Sequence, residues 1–329
     1  MNKIVCARSL AAASALLILG GMAANSPAAA AYPEKTLRLV VPFPPGGGND
    51  ILARTLGQRL SEVVSQQVLV DNRGGAGGAL GATIAAQANP DGYTIFLGSV
   101  GNLAQTPALK EKLPYHPLRD FAPVALVATS SFILAVHPSV AAKNVQELIA
   151  LAKASPGKLS YASAGTGSSL HMAGELFKYA TATDLLHVPY KGTGPAMADL
   201  ISGRVQLIFS TMPPALPQIK TGKLRALGVT TAKRAAAAPD VPTIAESGVK
   251  GFSVSNWQGV LLPVKTPAAI VNKLNQDTLA ALKVSGMTEA LAQQGLEPAG
   301  GTPAEFAALI KAEIAKYTRV VKAAKIRVD

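Results

Sequence analysis

The sequence predicts an α/β protein folded as two lobes, with mainly parallel strands and a ligand held between the lobes. Three observations carry that expectation. Short β-branched runs alternate with helical patterns, two glycine-rich turns each join a strand to a helix, and those turns lie in separate halves of the 329-residue chain. Alternating strands and helices build sheets covered by helices. A chain of this length suits about two units of 100–200 residues.

The elements follow in order. Residues 36–41, 67–71 and 93–97 read as strands, each followed by a helical stretch at 51–64, 79–87 and 103–110. The turn Pro114-Tyr115-His116-Pro117 closes this block. The rhythm resumes with a strand at 132–136, a helix at 145–154, a strand at 159–163, a helix from Ser168, a strand at 185–188, a helix at 195–201 and a strand at 205–210. A β-rich run at 252–263 precedes two helices with start signals at Thr266-Pro267 and Thr302-Pro303-Ala304-Glu305. The expected division is residues 32–127 for lobe 1, 128–252 for lobe 2, and a return to lobe 1 over 253–329.

Residues 1–31 read as a secretory signal: Lys3 and Arg8 are basic, residues 11–19 are apolar, and Ala29-Ala30-Ala31 supplies the small residues of a cleavage site. The apolar run is shorter than the roughly 20 residues that span a bilayer. Cleavage near Ala31 would leave 298 residues with a net charge of +10 in place of +12, and would remove Cys6, the only thiol. A thiol-free exported chain suits an oxidising compartment, here a bacterial periplasm.

Composition excludes several classes. With 49% hydrophobic and 15% charged residues the chain is too apolar for global disorder. One Cys and four His exclude a cysteine-rich zinc module. The positive charge admits nucleic acid, an acidic membrane surface or a small anion as partner. Aromatics make up only 5% and do not interleave with Lys and Arg, which argues against single-stranded nucleic acid.

Two segments carry chemistry. Pro42-Phe43-Pro44-Pro45-Gly46-Gly47-Gly48-Asn49-Asp50 joins a strand to a helix, where free helix N–H groups and the dipole favour an anion and glycines admit it to the backbone. The plainer alternative is a tight turn with Asn49 or Asp50 capping the helix. Ala164-Gly165-Thr166-Gly167-Ser168-Ser169 repeats the arrangement and adds hydroxyls. Two such cradles imply a ligand clamped between lobes. Neither is a nucleotide motif: no Gly-Lys-Ser/Thr follows, and Leu170 stands where a dinucleotide fingerprint needs its third glycine. A third cluster, Gly74-Gly75-Ala76-Gly77-Gly78, supports the site or merely connects.

Catalytic patterns are poor. Gly98-Ser99-Val100-Gly101 is not a nucleophile elbow, and no His-Glu-x-x-His pair exists. His116, His137, His171 and His187 read as structural, so neither metal nor cofactor is expected. An exported hydrolase remains as an alternative, with His171 one helical turn from Ser168, but no third group orients the pair. The expectation is not an enzyme.

The chain resembles the Bug receptor family, the extracytoplasmic solute-binding proteins of tripartite tricarboxylate transporters. The segments that carry the resemblance are Pro42-Phe43-Pro44-Pro45-Gly46-Gly47-Gly48-Asn49-Asp50, Asn89-Pro90-Asp91-Gly92-Tyr93-Thr94, Leu113-Pro114-Tyr115, Ser163-Ala164-Gly165-Thr166-Gly167-Ser168, Val188-Pro189-Tyr190-Lys191-Gly192, Pro239-Asp240-Val241-Pro242-Thr243 and Trp257-Gln258-Gly259. It implies a type II periplasmic-binding-protein (Venus-flytrap) fold that closes on a small organic carboxylate: a mono- or dicarboxylate, an amino acid or an aromatic acid. Phe43, Pro44, Gly47, Gly48, Asn49 and Ser99 would form one wall of its site. Ala164, Gly165, Thr166, Gly167, Ser168, Tyr190, Gly192 and Ser210 would form the other. Asn49 stands where many relatives show Ser or Thr. The implied partners are integral-membrane permease subunits, with the receptor a monomer; the alternative is a ligand sensor for a membrane signalling partner.

Overall fold

The computed structural model describes residues 32–110, 112–324 and 326. The expected signal at residues 1–31, with Cys6, lies outside the described residues. In the first lobe β1 (Leu37–Val41), β2 (Val68–Asn72) and β3 (Thr94–Ser99) pair in parallel in the order β2-β1-β3, joined by α1 (Gly48–Val64) and α2 (Ala79–Ala86). β1 is buried on both faces. Leu37, Leu39 and Val41 pack in one cluster with Leu52, Leu56 and Leu60 of α1, while Val40 packs on the opposite side in a cluster with Ala82 and Phe96. Helices on both faces of a parallel strand require such an unbroken apolar run. Each fully buried Leu contributes roughly 1.5–3 kcal/mol, so the turn between β1 and α1 stands on a rigid base.

β4 (Phe121–Val136) belongs to both lobes. Its residues from Phe121 to Ser131 pair with β9 (Ser255–Pro263), and those from Phe132 to Val136 pair with β7 (Leu207–Thr211) and β8 (Arg225–Val229). Register shifts between Pro123 and Ala125 and between Leu126 and Ala128 interrupt its pairing with β9, and irregularities of this kind bend a strand. In the second lobe β5 (Ser160–Ser163), β6 (Leu186–Pro189) and β7 run parallel in the order β7-β5-β6. Their helices are α4 (Val145–Ala154), α5 (Ser169–Thr181), α6 (Thr193–Ile201) and α7 (Met212–Lys220). After β9 the chain ends in α8 (Ala268–Ala281), α9 (Met287–Gln293), the short β10 (Glu297–Pro298) and α10 (Pro303–Ala324).

The expected type II two-lobed α/β architecture is present, but the sheet is mixed and not mainly parallel. Every pairing made by β4 or β9 is antiparallel. Hydrophobic periodicity reports burial and is blind to strand direction, and these two strands join the sheets without a covering crossover helix. Residues 103–110, expected as one helix, form a π-helical turn at Gly101–Gln105 and then α3 (Thr106–Leu109). α7 is not among the expected elements; Pro213, Pro214 and Pro217 interrupt its helical pattern. Pro213 and Pro214 lie in its first turn, where a missing N–H costs nothing.

Of the two expected helix starts, one is built as foreseen. The Thr302 N–H donates to Glu305 Oε2 at 2.7 Å and the Glu305 N–H to Thr302 Oγ1 at 3.2 Å, a capping box. Thr266 does not cap α8; its hydroxyl donates to the Pro263 carbonyl at 2.8 Å. Trp257 is core, edge-on to Phe306 with ring centroids 5.8 Å apart.

Candidate ligand-binding site

Helix starts from both lobes meet at one cavity. Gly47, Gly48 and Asn49 open α1, Ser169 and Leu170 open α5, Thr193 opens α6 and Thr211 precedes α7; all line it, together with Phe43 and Ala164. The first N–H groups of each helix lack intrahelical acceptors, and each dipole places partial positive charge there. α7 adds only the Met212 N–H, because Pro213 and Pro214 carry none, so the amides that suit an anion come mainly from α1, α5 and α6, at the carboxyl edges of the strands. The enclosed volume is about 10 Å³, about what a single water needs. The lobes are closed.

The first loop is held from behind. Asp50 Oδ2 accepts from the Gly46 N–H at 2.9 Å, Oδ1 accepts from Asn72 Nδ2 at 3.0 Å, and Arg54 pairs with the carboxylate at 2.9 Å. Asn72 Nδ2 also donates to the Phe43 carbonyl at 2.9 Å. Burial alone would raise the Asp50 carboxyl, but these bonds outweigh it and hold the group below its ordinary range. Neither Asn49 nor Asp50 caps the helix; the N-cap is Gly47, with no side-chain bond.

The second loop is shaped differently from an open cradle. The Gly165 N–H donates to Ser163 Oγ at 3.1 Å, the Gly167 N–H to His171 Nδ1 at 3.2 Å and the Ser168 N–H to the Gly165 carbonyl at 3.0 Å. Those amides face inward, leaving the first turn of α5 to face the cavity. Gly165 and Gly167 are required for another reason: their φ angles of +118° and +85° lie in the left-handed region.

Two polar groups in this cavity lack partners among the described residues. Asn49 Nδ2 and Thr211 Oγ1 are both buried and unbonded, a state that costs about 1–3 kcal/mol per group unless a ligand or water satisfies it. Among the described residues, no Lys or Arg lines the inner cavity. An outer cavity of about 280 Å³ adjoins it at Ala164, and there Lys110 and Lys191 face it from opposite lobes. A larger hollow of about 570 Å³ lies where β4 passes between lobes, lined by Ser131, Thr231 and Ser255 among others. None of its lining residues carries an unpartnered buried polar atom among the described residues.

The expected site residues distribute as follows. Phe43, Gly47, Gly48, Asn49 and Ala164 line the inner cavity; Ala164, Gly165, Thr166 and Tyr190 line the outer one. Pro44 wedges between lobes, so close to Gly192 that a Cβ there would lie 2.7 Å from Pro44 Cδ. Ser99, Ser168, Gly167 and Ser210 line neither. The Ser99 N–H donates to Asn102 Oδ1, Ser168 Oγ accepts from the His171 N–H, and the Ser210 hydroxyl donates to the Thr211 carbonyl at 2.9 Å. Leu170, Thr193, Thr211 and Lys110 were not anticipated. Thr193 and Thr211 each follow an anticipated residue by one position, and strand alternation behind Ser210 is the signal that would have found Thr211. The third glycine cluster reaches the site, with Gly75, Ala76 and Gly77 on the outer cavity.

Two α/β lobes sharing a long strand, with helix starts from both facing a closed cleft, define a periplasmic-binding-protein fold. Residues 52–326 match the family described as tripartite tricarboxylate transporter family receptor, and the chain belongs to that family. It is similar to a UPF0065 protein from the tcbD-tcbE intergenic region of Pseudomonas sp. strain P51, 41% identical over 88% of this chain and 87% of that one. It is also similar to Protein BugT of Bordetella pertussis, 37% identical over 96% of this chain and 97% of that one. Among solved structures, one described as a periplasmic transporter superposes with a TM-score of 0.88 at 46% identity, covering 91% of this chain and 100% of that one. An R. palustris protein solved with adipate gives 0.87 at 38% identity, covering 90% and 99%. MatC from Rhodopseudomonas palustris with bound malate gives 0.85 at 34%, covering 88% and 100%.

Proposed function

We propose that the protein captures a small organic carboxylate between its lobes in the periplasm and delivers it to a membrane permease of the tripartite tricarboxylate type. The observation that carries this reading is the inner cavity itself: four helix starts and two unpartnered polar groups, Asn49 Nδ2 and Thr211 Oγ1, surround it with no basic side chain. Uncharged donors already desolvated by the fold can hold a carboxylate without the desolvation cost of several kcal/mol per ion that a buried ion pair must recover. Adipate and malate, bound by two similar proteins, are dicarboxylates. The closed inner cavity of about 10 Å³ has room for no more than a water, so one carboxylate would meet these donors with the lobes slightly parted, and the remainder would extend into the outer cavity, toward Lys110 and Lys191.

The moving units are residues 32–127 with 253–329, and 128–252, opening about β4 and β9. The receptor acts by binding and release, with no bond made or broken. A thermal-shift panel of mono- and dicarboxylates, amino acids and aromatic acids tests the binding step. At about 100 times its dissociation constant a true ligand adds roughly 2.7 kcal/mol of stability. A panel with no shift for protein stripped of carried-over ligand removes the carboxylate assignment. Uptake of the labelled ligand in a strain lacking this receptor tests delivery, and unchanged uptake removes the permease.

A further inference from the structure

The geometry points to His171 and His187 as positioning residues for the second lobe's half of the site: stacked beneath residues 164–168, they hold the Gly167 amide directly and the Gly165 amide through Ser163, and so present the start of α5 to the cavity, and the His171 bond lasts only while that ring is uncharged. This rests on the carboxylate receptor proposed above. The two rings lie 4.2 Å apart, and Tyr161 stacks on His187 at 4.9 Å. His171 is buried. His171 Nδ1 accepts the Gly167 N–H, which places the imidazole proton on Nε2. Ser163 Oγ accepts the Gly165 N–H and lies 2.7 Å from His187 Nε2. The hydroxyl oxygen has two lone pairs, so it can accept the Gly165 N–H and either donate to His187 Nε2 or accept from it.

Protonation breaks this arrangement. A proton on His171 Nδ1 would meet the Gly167 N–H, two donors with no acceptor between them. A proton on His187 Nε2 would leave Ser163 Oγ accepting from both that proton and the Gly165 N–H, so the bond that titration breaks is the one at His171. The groups that face the pair are Glu175 and Lys178 on α5 and Tyr161 on β5; the Tyr161 hydroxyl donates to Glu175 Oε1 at 2.6 Å and Lys178 pairs with the same oxygen at 3.0 Å. Burial is the largest influence on both histidines and favours the neutral form; Glu175 opposes it and Lys178 reinforces it. For His187 the neighbouring His171 adds to burial.

The test uses the full mature chain in four forms: wild type, His171→Asn, His171→Phe and His187→Gln. Asn keeps an acceptor near the Nδ1 position and cannot titrate; Phe keeps a flat ring without an acceptor; Gln keeps an acceptor near the Nε2 position. Amide hydrogen exchange of the peptide covering residues 163–172, corrected for intrinsic rates, is followed without added ligand from about pH 7 to about pH 4. Adipate and malate affinities are measured at the same pH values. Wild-type protection is expected to fall about tenfold or more across that range, His171→Asn to stay within about threefold, and His171→Phe to begin about tenfold lower at neutral pH. His187→Gln should retain the fall in weakened form.

Wild-type protection that ignores pH overturns the proposal, as does a His171→Asn protein that behaves like His171→Phe. Should His171→Phe fail to fold, the comparison of wild type with His171→Asn still decides. Absence of adipate and malate binding at every pH would count against the carboxylate receptor, while the exchange profile would still decide the role of the histidines.

Discussion

The Thr106 hydroxyl donates to the Gly167 carbonyl at 2.7 Å, a buried hydrogen bond that joins α3 in one lobe to the second loop in the other. It exists only when the lobes are closed, so it stabilises the closed form and leaves the open form untouched. Thr106→Val keeps the shape and removes the donor. At about 0.5–1.5 kcal/mol for one hydrogen bond, affinity for a bound carboxylate should fall by roughly 2–10-fold, mainly through faster release. Titration calorimetry and dissociation kinetics check this; an unchanged release rate would show that the bond plays no part in closure.

Gly48 supplies a sharper test, because helix propensity and closure pull in opposite directions. A Cβ at Gly48 would lie 2.6 Å from Thr211 Oγ1 and 2.9 Å from its Cβ across the seam. Gly48 is the first residue of α1, short of the helix interior where alanine gains up to about 1 kcal/mol over glycine, so alanine leaves the helix itself at least as stable. Gly48→Ala is therefore expected to hold or raise the melting temperature while lowering ligand affinity about tenfold or more. Small-angle scattering should show lobes that stay open on adding ligand. Full affinity in this variant would mean that ligand-bound lobes never approach this closely.

Thr211 separates the stability of the empty protein from its function. Its hydroxyl is buried and unpartnered, so Thr211→Val removes an unsatisfied group and should raise ligand-free stability by up to about 1 kcal/mol. The same change should weaken carboxylate binding severalfold. Asn49→Leu is expected to follow the same sign. Denaturant melts beside calorimetry provide the check, and parallel losses of stability and affinity would assign Thr211 a packing role only.

Acid should destabilise the fold through His187. Burial, with His171 next to it, pulls its pKa from 6.5 to about 4. The unfolded chain therefore binds a proton near pH 6.5 that the folded chain refuses until about pH 4. Stability is lost as pH falls through that window, by on the order of 1 kcal/mol for a ring that solvent still partly screens. Urea melts at several pH values should show the slope, and His187→Gln should flatten it. A wild-type slope equal to that of the variant would place the acid sensitivity elsewhere.

Much of the site was legible because it is local. Pro42 to Asp50 and Ala164 to Ser169 announce strand, turn and helix within ten residues; glycine at 48 was expected to admit a ligand to the backbone, and the structure adds a different need for it, the close approach of Thr211. Asp50 was legible only as a possible cap; its actual bonds reach Gly46 and, 22 residues away, Asn72. His171 and His187 read as unremarkable core residues because 16 positions separate them in the chain, and only β5, β6 and α5 together stack their rings. The positive charge by itself left nucleic acid, membrane and small anion open, and only the fold brings Lys110 and Lys191 to the outer cavity from opposite lobes.

By itself, the sequence determined the strand–turn–helix units, the glycines that bring backbone to a shared cleft, and the family to which these belong. Those are consequences of backbone conformation and hydrophobic period, which act over a few residues. The tertiary structure alone decided which amides face the cavity, how β4 and β9 reverse the sheet, and that Thr211 replaces Ser210 on the wall. Each of these depends on which face of an element meets its neighbour, and a shift of one residue along a strand exchanges the faces. No local signal reports that choice; it is settled by packing of the whole chain.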